Sequence, residues 1–207
     1  MNDKELLINL TEAIGGGVDS VSSFFTSMSY YLIKNPVVVT NIRAEVVDIL
    51  GKDPRPIEME DLDKFKYIEA VIKEVARITS LTPLLDRYNE EPDEVAGYNW
   101  PANTHFVINS SGTQSDAKFW DKPEKFDPER FIKPSNANDL KALTLFGGGI
   151  RVCPGRKLAM VVVKVIISFL INQFDFELVN PNEPIKLRYA VFNQPDALPL
   201  IGYVTKK

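Results

Sequence analysis

The chain has 207 residues, with 28 acidic and 24 basic side chains and a formal charge of −4. This length is sufficient for one domain with a hydrophobic core, and 44 % hydrophobic residues is ordinary for a globular protein. The weak negative charge gives no indication of nucleic-acid binding. One cysteine excludes an internal disulfide, and no uncharged run reaches the roughly 20 residues that a membrane-spanning helix needs.

Apolar residues recur at helical spacing over residues 5–34, which predicts one long helix. Three consecutive glycines interrupt it at Gly15–Gly17, and each costs up to ~1 kcal/mol relative to alanine. They could allow a ligand to approach closely or widen the helix locally. They could also break the helix, so that Asp19 or Ser20 caps a second one. The residue pattern alone favours the break.

Two further helices are predicted over 37–50 and 63–79. The second carries Glu74 and Arg77, which a spacing of three places on one face, where they can pair. Taken alone, the pattern is better explained by an exposed surface pair of little energetic value.

The middle of the chain predicts short strands, separated by turns at Gly97 and at 101–103, over 84–88, 95–98 and 105–109. Short strands are also predicted over 176–204. Residues 155–174 are apolar nearly all round except for Lys164, which predicts a helix buried in the core. The predicted fold class is therefore mainly α with small antiparallel β-sheets.

The only cysteine, Cys153, lies in a glycine-rich loop, 146–155, directly before the last helix. The glycines allow a flat ligand to lie close to the backbone, and the helix start together with Arg151 favours a thiolate. An exposed thiolate on a rigid loop is a soft metal ligand. Two other interpretations stay open: a small buried hydrophobic side chain, or a hydrolase nucleophile with His105 as its base.

At this point the chain resembles a known family. Phe146, Gly149, Arg151, Cys153 and Gly155 match, at the right spacing, the haem-binding loop of the cytochrome P450 superfamily of haem-thiolate monooxygenases. The resemblance implies that Cys153 is the axial thiolate of the iron of haem b, and that the other four residues form the cofactor-binding loop. It also implies that residues 1–207 form a single partial domain, the C-terminal part of the cytochrome P450 fold.

The resemblance gives roles to two other motifs. The segment ending at Asp19 and Ser20 resembles the acid–alcohol motif of the family's long distal helix, which passes protons during oxygen activation. Ser20 stands where the family usually has threonine. Glu74 and Arg77 resemble the family's Glu-x-x-Arg motif, and Arg130 would complete a buried structural triad.

Three further residues resemble family positions that hold the haem propionates. Arg87 and Arg151 take the places of two arginines with this role. Gln114 stands where the family often has histidine, so it would donate a hydrogen bond without supplying charge.

The implied activity is insertion of one atom of dioxygen into a small apolar organic substrate, with reduction of the other atom to water. Electrons would come from NADPH through a separate reductase that docks near Arg156, Lys157 and Lys164. Ordinary solvation of surface charges explains these three cations equally well. The segment 126–131 resembles eukaryotic members of the family, which are often anchored in the endoplasmic reticulum membrane and face the cytosol.

The resemblance covers only the C-terminal half of the family's usual length. We therefore also consider a non-catalytic truncated fragment that binds haem weakly or not at all. The two interpretations differ in one observable property, because only the first predicts a thiolate-bound haem on Cys153.

Overall fold

The computed structural model describes residues 2–53, 55–133, 139–189 and 192–204. Within these ranges the α-helices are α1 (Asp3–Lys34), α2 (Pro36–Leu50), α3 (Lys66–Thr79), α4 (Ser110–Ser115), α5 (Glu129–Ile132) and α6 (Arg156–Gln173). The strands are β1 (Leu84–Tyr88), β2 (Asp93–Val95), β3 (Tyr98–Trp100), β4 (His105–Asn109), β5 (Phe174–Leu178), β6 (Leu187–Tyr189), β7 (Asn193–Pro195) and β8 (Leu200–Val204). The predicted fold class is confirmed.

Helix α1 continues through its three glycines, as its resemblance to the family's long distal helix implies, although the residue pattern alone favours a break at Gly15–Gly17. At its start, Asn2 and Glu5 form a capping box in which each side chain accepts a hydrogen bond from the other's backbone N–H. At its other end, the helix buries Phe24, Met28 and Leu32 in the core. Capping and burial at the two ends offset the helix-weakening effect of the glycines between them.

The core lies where the C-terminal half of α1 meets α2, α3 and α6. Helix α3 is central and buries side chains on several faces. It begins at Lys66 rather than at residue 63, because Glu45 of α2 accepts hydrogen bonds from the N–H groups of Tyr67 (2.6 Å) and Ile68 (2.9 Å). These two N–H groups have no partner within the helix, so the position of Glu45 defines where α3 starts.

The strands form four two-stranded antiparallel sheets, β1–β4, β2–β3, β5–β8 and β6–β7. The strands predicted over 84–88 and 105–109 are β1 and β4. The strand predicted over 95–98 is instead the turn of the β2–β3 hairpin. Ala96 (φ 56°) and Gly97 (φ 81°) both have positive φ, which a tight two-residue hairpin turn requires.

Helix α6 buries one face, although the sequence predicts burial all round. Val163, Ile167 and Ile171 face the core, whereas Leu158 is 68 % and Phe169 is 58 % exposed. Helices α1, α2 and α3 all pack against α6. In the described ranges, no helix combines the length and the hydropathy needed to cross a bilayer.

The segment between α2 and α3 is held by Asp61, whose side chain is 1 % exposed. Arg55 donates two hydrogen bonds to its carboxylate (2.6 and 2.9 Å), and Lys64 and the N–H of Glu58 donate one each at 3.0 Å. The hydrogen bonds from Arg55, with the others, hold the pKa of Asp61 well below its ordinary value of 3.8.

We expect Asp61 to make stability depend on acid. Because the pKa of Asp61 is lowered in the folded chain, its carboxylate stabilises the fold at every pH above the ordinary pKa of 3.8. This contribution is lost as the pH falls from 3.8 towards the folded-state pKa. Urea unfolding across this range should therefore show a smaller acid-induced loss of stability for Asp61→Asn than for the natural chain, together with lower stability near neutral pH. The exposed neighbour Asp63 supplies the control, and an Asp63→Asn variant that flattened the profile equally would contradict this assignment.

Candidate functional site

The cysteine loop is closed by its own backbone. The N–H of Cys153 donates to the carbonyl oxygen of Phe146 at 2.9 Å, and Val152 N–H donates to Gly149 at 3.2 Å. Gly147 (φ 72°) and Gly149 (φ 64°) adopt the left-handed conformation, which side-chain-bearing residues rarely take. The loop therefore has a defined shape that depends on glycine at two positions.

Within this loop, Cys153 carries a free, half-buried thiol. Helix α6 begins three residues later, and the Arg156 side chain donates to the carbonyl oxygen of Cys153 at 3.3 Å. Arg151 is exposed. A Cβ added at Gly148 or Gly149 would meet no atom within 4 Å. The loop thus combines one soft sulfur donor, a nearby cation and backbone unobstructed by side chains, which fits a flat, anionic metal cofactor.

Glu74 and Arg77 form a buried ion pair rather than an exposed one. Glu74 is 0 % and Arg77 is 2 % exposed. Arg77 donates from Nε to Glu74 Oε2 at 2.8 Å and from Nη2 to Oε1 at 2.9 Å, a two-point contact suited to its fork shape. Arg130 adds a bond from Nε at 3.2 Å, and the N–H of Asp127 adds one at 2.8 Å. The three residues of the predicted triad are therefore in direct contact around one carboxylate.

The acid–alcohol pair lies where α1 leaves the core. Asp19 is exposed and Ser20 is half-buried, whereas Ser23 and Phe24 in the next turn are buried. Ser20 Oγ donates to the carbonyl oxygen of Gly16 at 2.6 Å. The hydroxyl is therefore held against the glycine segment of the same helix.

The residues predicted to hold propionates lie on separate elements. Arg87 is half-buried in β1 and donates to the carbonyl oxygen of Asp86. Gln114 in α4 is 3 % exposed. Its side-chain Nε2 donates to Ser80 Oγ at 2.8 Å, and its backbone carbonyl oxygen accepts a hydrogen bond from Arg77 at 2.9 Å. In this structure Gln114 supports the buried network, while its Oε1 has no partner among the described residues. The propionate role of these residues stays a prediction.

Lys164 is not a surface cation and cannot offer its charge to a docking partner, which corrects one of the three cations named above. It is 5 % exposed, and its Nζ donates to Glu69 Oε2 at 2.8 Å and to the carbonyl oxygen of Leu62 at 2.9 Å. Arg156 and Lys157 are exposed.

The sequence did not reveal the cap at the C-terminal end of α3. The Asn193 side chain in β7 donates to the carbonyl oxygens of Thr79 (3.0 Å) and Ser80 (2.9 Å), and its N–H donates to Leu81. Ser80 has φ 43°, a left-handed helix end. No local pattern marks Asn193, because the carbonyl groups it binds lie more than 110 residues away in sequence.

A family model described as Cytochrome P450 matches residues 1–198. The chain belongs to the cytochrome P450 family. It is 34 % identical to (S)-N-methylcoclaurine 3'-hydroxylase isozyme 1 of Papaver somniferum, over 90 % of this chain and 39 % of that protein. It is 32 % identical to a flavonoid 3',5'-hydroxylase of Eustoma exaltatum subsp. russellianum, over 100 % of this chain and 41 % of that protein.

The fold agrees with this P450 assignment. A zebra fish cytochrome P450 solved with abiraterone superimposes with a TM-score of 0.87 at 27 % identity, over 100 % of this chain and 48 % of that chain. The chain spans about two fifths of the length of the curated relatives it matches. The P450 family is a family of haem-containing monooxygenases.

The buried triad should be indispensable for folding. Glu74→Ala or Arg77→Ala leaves a buried charge without its partner, at a cost of ~3–5 kcal/mol. We expect loss of cooperative unfolding, or loss of haem retention in a chain supplied with haem, measured by circular dichroism and by absorbance. Lys186→Ala, which breaks an exposed ion pair with Glu183, is the control and should change neither property. Normal folding and normal haem content in both triad variants would contradict the prediction.

Proposed function

We propose that this chain carries the haem-thiolate site of a monooxygenase, with Cys153 as the axial ligand of haem b. The observation that supports it is the position of the only cysteine: half-buried, in a loop closed onto Phe146, and immediately before a long helix. Helix α6 begins three residues after this cysteine, and the N–H groups of a helix's first turn favour a negatively charged sulfur. A haem held by a cysteinate supplies dioxygen activation.

The protein's own residues would orient the cofactor. The glycine loop, with Phe146, Gly149 and Gly155, offers backbone against which a flat ring can lie. Arg151, exposed on that loop, and Arg87 in β1 would bind the carboxylates of the cofactor, with Gln114 assisting from α4.

Asp19 and Ser20 would supply protons. Ser20 Oγ donates its hydrogen bond to the carbonyl oxygen of Gly16. A proton that this hydroxyl delivers must be replaced from a second group. The exposed carboxyl of Asp19, one residue away, is the group that can exchange protons with solvent. The pair therefore forms the two ends of a short proton relay.

Electrons would come from NADPH through a separate reductase, for which exposed Arg156 and Lys157 provide positive charge beside the cysteine loop. The substrate would be a small apolar organic molecule, and hydroxylation is the reaction named for both plant relatives. From the resemblance of the segment 126–131 to eukaryotic members of the family, we propose the cytosolic face of the endoplasmic reticulum membrane as the location of the whole protein. The competing possibility is a non-catalytic fragment that does not retain haem.

The ferrous carbon monoxide spectrum tests the ligand. We expect the chain, expressed with haem and reduced, to show a thiolate-type Soret band that Cys153→Ser abolishes, because a hydroxyl cannot replace the soft thiolate. Val152→Ser, a change at the adjacent half-buried position, should retain the band. Absence of haem uptake by the natural chain would support the non-catalytic fragment instead.

The glycines of α1 allow a second test. A Cβ at Gly17 would meet no atom within 4 Å, so in the haem-free chain Gly17→Ala should stabilise α1 by up to ~1 kcal/mol. If the cofactor lies against this segment, the same change should weaken haem uptake, measured by titration with haem. Gly15→Ala, on a different face of α1, should stabilise the helix without affecting uptake. Unchanged haem affinity in Gly17→Ala would contradict close approach at this glycine.

A further inference from the structure

Lys164 is a buried charge on the core-facing side of α6, where Ser168 is the other buried polar residue. On either side of it, Val163 and Ile167 contribute to the same core cluster. Its ammonium group donates to Glu69 Oε2 at 2.8 Å and to the carbonyl oxygen of Leu62 at 2.9 Å. A charge in this position needs a structural explanation, because burying an ammonium group is costly unless its partners are well placed.

Glu69 is the matching carboxylate on α3, and its side chain is half-buried, 30 % exposed. Burial alone would raise its pKa, but hydrogen bonds from Lys164 and Lys73 lower the pKa to about 2. Lys73 lies one turn further along α3, and its side chain is 35 % exposed. Glu69 therefore has one buried partner on the neighbouring helix and one solvent-accessible partner on its own.

The ion pair can fix the position of α6 along α3 more strictly than apolar packing does. Hydrophobic contact is non-directional, so Val163, Ile167 and Ile171 tolerate small displacements of α6 along α3. Lys164 Nζ, in contrast, has two oxygen partners at fixed positions. A displacement by one residue, about 1.5 Å along the axis with a rotation of about 100°, would break both hydrogen bonds. Buried ion pairs contribute little net stability, and their best-attested use is to specify register.

The alignment matters because both helices carry parts of the site. Glu74 lies on α3, five residues after Glu69. Cys153 lies three residues before the start of α6, the helix that carries Lys164. We infer that the Lys164–Glu69 pair is a positioning pair that fixes α6 against α3 and thereby fixes the Cys153 thiol relative to the buried triad. This role rests on the proposed function of Cys153 as a haem ligand.

The decisive variant is Lys164→Met combined with Glu69→Gln, which removes both charges while keeping side chains of similar length. We expect it to fold with an unchanged or higher urea midpoint, because no charge is left buried and unpaired. The alkylation rate of Cys153 in the haem-free chain should change roughly threefold or more, because that rate reports the surroundings of the thiol. In the haem-loaded chain, the thiolate-type share of the carbon monoxide band should fall by about half or more.

Lys73→Met is the matched control, since it removes the second partner of the same carboxylate and leaves the Lys164–Glu69 pair intact. It should change neither alkylation nor the spectrum. The inference is overturned if the double variant keeps both properties, or if they change only in proportion to its unfolded fraction. Should the natural chain take up no haem, the proposed function fails, and the alkylation rates alone decide the positioning role.

Discussion

One buried carboxylate, that of Glu74, organises the described structure. It is fully buried and accepts hydrogen bonds from Arg77, Arg130 and the N–H of Asp127. The free-energy cost of burying a carboxylate without partners would be prohibitive here, so the fold needs its hydrogen-bond donors together. Because the donors come from α3, from α5 and from the loop before α5, this requirement holds three segments in one arrangement.

The arrangement extends from Glu74 through Arg77. The guanidinium of Arg77 also donates to the carbonyl oxygens of Gln114 and Lys125, and it lies 5.5 Å from the ring centre of Trp120. These contacts place α4 and the loop that leads towards the cysteine segment. At its C-terminal end, α3 is capped by Asn193, which joins β7 to the same helix. Helix α3 is therefore the element from which the positions of the others follow.

Local patterns predicted those features that depend on neighbours in sequence. The helical periodicity of 37–50 and the short strand patterns of 84–88 and 105–109 reappear as α2, β1 and β4, because each depends mainly on residues close in sequence. The pattern at 95–98 was misread, since positive φ at Ala96 and Gly97 turns the chain there. The glycines of α1, taken alone, favour a break, but capping and core packing at the two ends of the helix outweigh this local propensity. For Glu74 and Arg77, spacing allowed a pair, but only the tertiary structure shows that it is buried.

Lys164 shows most clearly what a local sequence pattern does not predict. A lysine in an apolar helix gives no indication of whether it faces solvent or a carboxylate 95 residues away. The structure resolves this by placing its charge inward, as it does for Glu74 and Arg77. The buried charges are thus satisfied within the chain, whereas Cys153 is half-buried and Arg151 exposed, on a glycine loop with little around it. The charges that hold the fold are therefore separate from the half-buried thiol and the exposed cation of the cysteine loop, which take no part in the buried ion pairs of the described residues.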